Sequence, residues 1–304
     1  SPGASIYLAT YTGPVLNEVL ASNESALSPW AENSDWIELV NTAASPVSLA
    51  GLRIGDAARA VGQWEFPAGA SIPANGYLRV WCDGARAAST ALSADINTGF
   101  SLSSESGGVY LFNAAGQMVD SVEYGFQIAD QSIGRSGGNW RLLSSPTPGT
   151  INSTVAALGA HSAVKLNEWM SEPLAGNDWF ELYNSGAQPV DLAGLYLTDD
   201  PSLAGLTKHQ VAPLSFIAPG GFVKFEADGD SSQGRHHVNF SLDQLGETLR
   251  LHGTNLALLD NADLIALPPG VSAGRLPDGA ASVVAFYTTP TPSESNYLPL
   301  PGVS

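Results

Sequence analysis

Two consecutive antiparallel β-sandwiches are the fold this sequence predicts, and three observations carry the prediction. The first is a duplication. Asp35-Trp36-Ile37-Glu38-Leu39-Val40-Asn41 returns as Asp178-Trp179-Phe180-Glu181-Leu182-Tyr183-Asn184, and each copy is followed by Pro-Val-x-Leu-Ala-Gly-Leu, at Pro46 to Leu52 and at Pro189 to Leu195. The second is composition: 44% hydrophobic but only 13% charged residues, with 32 Gly and 20 Pro, is the balance of a globular chain with many turns between short strands. The third is periodicity, because the apolar residues alternate in steps of two and no segment sustains a 3.6-residue repeat. With 304 residues the chain has the size of two domains of roughly 150 residues, each long enough to close its own core.

The elements follow in order. Residues 1–13 hold an apolar alternation around Ile6 to Tyr11 and read as an edge strand or linker. Val15-Leu16-Asn17-Glu18-Val19 opens the first module as a strand, and Lys165-Leu166-Asn167-Glu168-Trp169 opens the second. A polar loop from Asn23 to Asn33, carrying Pro29 and Trp30, is longer than its counterpart from Pro173 to Asn177, and insertions of this kind are where specificity tends to reside. In the duplicated strand the alternation places Ile37 and Leu39 on one face and Trp36, Glu38 and Val40 on a half-exposed other face. Short strands at Leu52 to Ile54 and Leu195 to Leu197 come next. Then Ile72 to Trp81 matches Ile217 to Glu226, each a Pro/Gly turn feeding a strand that ends in Asp-Gly. Phe100-Ser-Leu102 and Phe240-Ser-Leu242 precede hairpins, Val109 to Phe112 with Met118 to Tyr124, and Thr248 to Leu251 with Leu258 to Ile265. A Gly-Arg pair, at Gly134-Arg135 and Gly274-Arg275, leads to the exits Ser145-Pro-Thr-Pro-Gly-Thr-Ile-Asn152 and Thr289-Pro-Thr-Pro-Ser-Glu-Ser-Asn296. About seven short strands per copy read as a sandwich. The expected boundaries are 14–152 and 161–297 for the modules, with a linker at 153–160 and a C-terminal linker at 298–304.

On these motifs the chain resembles a tandem of lamin tail domains of the bacterial secreted type. The motifs are the Leu-Asn-Glu opening, Asp-Trp-(Ile/Phe)-Glu-Leu-x-Asn, Pro-Val-x-Leu-Ala-Gly, Phe-Ser-Leu and the Pro-Thr-Pro exit, and they span nearly the whole chain. The resemblance implies an immunoglobulin-like sandwich and a non-catalytic accessory or interaction module, since a shared fold does not fix a chemistry. A role in a nuclear lamina is disfavoured, because no heptad rod, prenylation signal or basic segment accompanies the motifs.

Charge and cysteine content narrow the partners. Twenty-nine acidic against 12 basic residues give a net charge of -17, which repels nucleic acid phosphates and anionic membranes. Cys82 is the one cysteine, so no intrachain disulfide forms. No run approaches the ~18 apolar residues of a membrane-spanning helix. The absence of an initiator Met and of a leader at Ser1 reads as a mature or excised fragment, with further domains of the same polypeptide expected.

Several constellations carry possible chemistry. Gly134-Arg135-Ser136-Gly137-Gly138 fits the G-x-S-x-G nucleophile pattern, but its flanks predict a β-turn with no helix, and Leu276 stands at the serine position of the second copy. Glu18, Asp35 and Glu38 recur as Glu168, Asp178 and Glu181. Paired carboxylates about 5 Å apart can act as acid and base on a glycosidic bond, whereas a structural role as caps and acceptors is the simpler account. Glu38 and Glu181 are retained as candidate ligand contacts. Asp228 and Asp230, in Asp228-Gly-Asp230-Ser-Ser232, are candidate calcium ligands, although the loop departs from the EF-hand pattern. Arg235-His236-His237 with His209 has no ordered zinc spacing. Among seven Trp residues, Trp30, Trp140 and Trp169 lack Trp counterparts in the other copy and are the candidate ligand-binding rings.

The expectation is therefore a non-enzymatic spacer and protein-interaction segment of an extracellular or cell-surface bacterial protein. It requires no cofactor, with calcium as the candidate ion. The alternative is a carbohydrate-binding module beside a polysaccharide-degrading enzyme, and a third reading is an enzyme using the carboxylate face.

Overall fold

The structure is a computed structural model that describes residues 11–26, 28–59, 62–152 and 154–298. Most of the segment expected as an N-terminal strand or linker, and all of the C-terminal linker except Leu298, lie outside the described residues. The chain divides into two compact units, Ser1–Ala156 and Ala157–Ser304.

Both units have the same all-β plan, an immunoglobulin-like sandwich. In the first, a five-stranded sheet runs in the order Asn139–Leu142, Ile133–Ser136, Val15–Leu20, Asp35–Val40, Tyr77–Cys82. A four-stranded sheet runs Trp64–Glu65, Arg53–Gly55, Gly107–Phe112, Met118–Tyr124, and a small ladder pairs Val47–Ser48 with Ser71–Ile72. The second unit repeats this arrangement: Val283–Phe286, Ser272–Arg275, Val164–Met170, Trp179–Asn184, Phe222–Glu226 in the large sheet, and His209–Gln210, Tyr196–Thr198, Thr248–His252, Leu258–Asp263 in the other. All paired strands are antiparallel, as short strands joined by Gly- and Pro-rich turns favour. The one helix among the described residues is a single 3₁₀ turn, His161–Ala163, and none is long and apolar enough to cross a membrane.

The duplicated strand lies second from the edge of the large sheet. Ile37, Leu39, Phe180 and Leu182 face the core with no exposed surface. The opposite face, expected to be half-exposed, is mostly buried: Glu38 and Glu181 are fully covered and Trp36 and Trp179 nearly so, while Val40 and Tyr183 keep some exposure. The cover comes from the exit segments, 145–152 and 289–296, which return across this face and bond to it. Residues read as linker are tied down as well. Ala156 donates to Leu142, Ser144 donates to Thr154, and Gly159 donates to Pro189.

Candidate functional site

The Leu-Asn-Glu opening of each module is a β-bulge. Leu16 pairs with Leu39 and Glu18 pairs with Glu38, so Asn17 is the extra residue; Leu166 and Glu168 bracket Asn167 in the same way. A bulge re-aims the groups around it. Here it turns the asparagine amide onto the neighbouring strand: Asn17 Nδ2 donates to Glu38 Oε1 at 2.8 Å, and Asn167 Nδ2 to Glu181 Oε1 at 2.8 Å. It also frees the backbone of Leu16 and Leu166 to meet the second sheet. Leu16 N–H donates to Asp120 and Arg135 Nε donates to Leu16 O, while Asp120 and Arg135 form an ion pair at 2.6 Å. Leu166, Asp260 and Arg275 repeat this clamp.

The exit segments close over the carboxylates. Thr147 N–H donates to Glu18 Oε1 at 2.8 Å and Gly149 N–H to Glu38 Oε2 at 2.5 Å. In the second module Thr291 N–H meets Glu168 and Ser293 N–H donates to Glu181 Oε2 at 2.8 Å. Ser132 and Ser272 hydroxyls complete the shells of Glu18 and Glu168. The final asparagines pack against the Gly-Arg pair. A Cβ at Gly134 would lie 2.6 Å from Asn152 Nδ2, and one at Gly274 would lie 2.7 Å from Asn167 O, so these two positions have room only for glycine. Ser136 of the G-x-S-x-G pattern sits in a hairpin, Ile133–Ser136 with Asn139–Leu142, and not at a strand-to-helix turn.

Burial dominates the electrostatics of this pair of sites. It pushes Glu38 up to about 7 and Glu181 up to about 8, against the donors that hold their ionised forms. Glu18 and Glu168 are raised for the same reason. With all of these oxygens engaged, the repeated carboxylates are fastenings that hold each module's end to its first strands. Asp35 and Asp178 accept from the backbone N–H of Leu102 and Leu242, which ties the repeated Phe-Ser-Leu to the start of the duplicated strand. Asn41 and Asn184 each reach backbone carbonyls of the following turns, Ile72 and Pro73 for one, Ile217 and Ala218 for the other.

The remaining candidates fall in separate places. Trp140 and Trp169 are buried and present no ring face to solvent; Trp140 lies under the Arg135 guanidinium, 5.0 Å away. Asp228 accepts from Gln233 and contacts His237 Nδ1, both at 2.8 Å, and Asp230 accepts from Ser232 N–H and hydroxyl, so the acidic loop is organised by its own donors. Among the described residues no group of three or more His, Cys, Asp or Glu side chains is placed to hold a metal ion. His209 is buried, and desolvation pulls it down to about 4.

Trp30 is the nominated ring that joins others. It meets Trp81 edge-on, centroids 6.3 Å apart, and Arg86 lies 4.8 Å from its ring. Trp81 packs with Trp36 and Leu20, and the Arg79 guanidinium lies 4.2 Å over its indole. Above them opens a cleft of ≈ 310 Å³, rimmed by Pro146, Pro148 and Asp130. A second cleft of ≈ 220 Å³, lined by Glu38, Tyr77 and Gly149, shares Arg79 and Pro148 with the first. Arg79 and Trp81 were not singled out from the sequence. The available signal was the mismatch at these two positions, which hold Lys224 and Glu226 in the other copy.

The Lamin Tail Domain family model matches residues 9–126 and 159–269. Among curated proteins nothing matches the chain. Among solved structures, the exo-chitosanase CsxA of Amycolatopsis orientalis aligns at 14% identity and a TM-score of 0.19, covering 81% of this chain and 26% of that one. The chain thus spans about a quarter of that protein's length, and a likeness this loose carries no inference about its reaction.

Proposed function

This chain belongs to the lamin tail domain family, and on that premise we propose that it is a non-catalytic spacer and protein-interaction segment of a larger extracellular or cell-surface protein. The observation that supports this best is the fate of the repeated polar residues. Glu18, Glu38 and Asn17, with Glu168, Glu181 and Asn167, are buried and engaged by the fold's own donors, which leaves no repeated set free to act on a substrate. What differs between the copies is a surface, and a surface that varies on a fixed scaffold is the usual seat of recognition.

A second reading, a carbohydrate-binding module, draws on Trp30. Its ring is half-buried on the polar 23–33 loop, beside Arg86, where an exposed part of an indole can meet a sugar. Electrophoresis of the chain through gels containing soluble plant and algal polysaccharides separates the two. The interaction-segment reading expects unretarded migration in every gel, and retardation by any one polysaccharide would replace it with the second reading.

A further inference from the structure

We propose that the cleft over Trp81 and Arg79 is a docking site for an extended peptide that sets a carboxylate on Arg79 and a neighbouring apolar side chain against Pro146 and Pro148. This rests on the reading of the chain as an interaction segment and names the chemistry of its partner.

Arg79 carries the argument. Among the described residues its guanidinium makes no hydrogen bond and no ion pair; it is held by stacking on Trp81, 4.2 Å from the ring. Six other cations among the described residues of this acidic chain form ion pairs, Arg53 with Glu65, Arg86 with Glu32 and Asp83, Arg135 with Asp120, Lys208 with Asp199, Lys224 with Glu226 and Arg275 with Asp260; what sets Arg79 apart from the rest is its place, on an indole at the junction of two clefts. Glu38, Arg79's register partner across the ladder, feels its charge but makes no ion pair with it, because both its oxygens are hydrogen-bonded by Asn17 and Gly149; Asp130 on the rim is likewise turned to the Glu24 and Ser25 N–H groups. The planar fork is therefore pre-positioned with its donors unused, and a carboxylate is the group that matches it in two parallel bonds.

The apolar half of the site argues for a peptide over a sugar. Leu20, Trp36 and Trp81 are 1–2% exposed and Arg79 lies over the Trp81 ring, so the floor offers no open indole face on which a pyranose could lie. The accessible apolar surface of the cleft is supplied by Ala26, Pro146 and Pro148, against which the end of an aliphatic or aromatic side chain can pack. The two clefts meet at Arg79 and Pro148, so side chains of an extended segment can enter both while the carboxylate lies at the junction. The second module supplies a built-in control, because Lys224 and Glu226 stand at the equivalent positions and neutralise one another at 2.6 Å.

The test uses the whole 304-residue chain. A library of N-acetylated, C-amidated tetrapeptides, each pairing Leu, Phe or Pro with Asp or Glu, is titrated by the protein's tryptophan fluorescence alongside twins carrying Asn or Gln in place of the acid. Acidic peptides are expected to bind about tenfold or more tightly than their amide twins. Arg79→Gln abolishes that preference, Arg79→Lys keeps part of it, and Lys224→Gln leaves it unchanged. Arg79 is partly exposed and unpaired, so a melting curve that matches the parent confirms that the variant is folded. Three results overturn the proposal: no peptide binds, amide twins bind equally, or Arg79→Gln binds like the parent. Peptide binding that ignores Arg79 overturns the site while leaving the interaction reading in place. Retardation by alginate or polygalacturonate without peptide binding overturns both.

Discussion

The two modules share their main fastenings and part company at the exposed edge of the large sheet. In both, a bulged asparagine and a pair of buried glutamates hold the exit segment, and an arginine–aspartate clamp joins the sheets. On the strand that edges the large sheet, however, the first module carries Arg79 and Trp81 beneath an open cleft, whereas the second carries the closed pair Lys224–Glu226. A duplicated chain is its own control: what both copies keep builds the fold, and what one copy alone displays is free to recognise something.

The largest effect expected is from breaking the shared fastening. Glu38→Ala and Glu181→Ala each strand an asparagine amide and an exit-segment N–H inside the protein, and should cost ~3 kcal/mol in urea unfolding, about equally in the two modules. A large inequality would break the comparison. Asn41→Ala and Asn184→Ala release several turn carbonyls and should cost ~2 kcal/mol apiece by the same measurement.

The pH dependence sharpens the comparison. Glu38 at about 7 and Glu181 at about 8 lie above their ordinary value of 4.5, so the folded modules keep protons that the unfolded chain has released. Their contribution is full below pH 4.5 and is lost as pH rises, through about 7 in the first module and about 8 in the second. His209 adds the opposite slope to the second module alone: lowered from 6.5 to about 4, it contributes fully above 6.5 and loses this as pH falls towards 4. Urea midpoints should therefore fall from pH 5 to about 7 and level off above that for the first module, and for the second be flattened below pH 6.5 and go on falling to about 8. Glu38→Gln should remove much of the first slope. The smallest effects belong to the differing face, where Lys224→Gln and Arg79→Gln should each change stability by no more than ~0.5 kcal/mol, as partly exposed charges do. A larger loss on Arg79→Gln would make the arginine part of the fold.

Much of the architecture was legible because each element appears twice, and turn residues at matched offsets fixed the strands. The burial of Glu38 was not legible. Its cover, Gly149, lies 111 residues away in sequence, and local alternation says nothing about what returns over a face. Asn17 looked like an ordinary strand residue, since a bulge is a property of pairing. Trp140 and Trp169 stood out by lacking counterparts, but an unmatched indole can fill a core as readily as it can meet a ligand, and these two are buried. Arg79 and Trp81 sat inside a recognised match, where the informative signal was the disagreement between copies.

The fastening also has a bearing on the order of synthesis. The groups that satisfy Glu18 and Glu38 are among the last of the module to leave the ribosome, 129 and 111 residues after the glutamates they serve. A nascent chain that has emerged as far as Tyr124 holds both hairpin partners of its smaller sheet, yet its glutamates lack the Thr147 and Gly149 donors. Completion is thus registered chemically at the module's own end, before the second copy of the Asp-Trp strand is made. Two copies of one strand pattern in one polypeptide are at risk of exchanging strands while both are unfinished. A closure that waits for its own last residues, and for no others, lets the first copy become committed before its competitor exists.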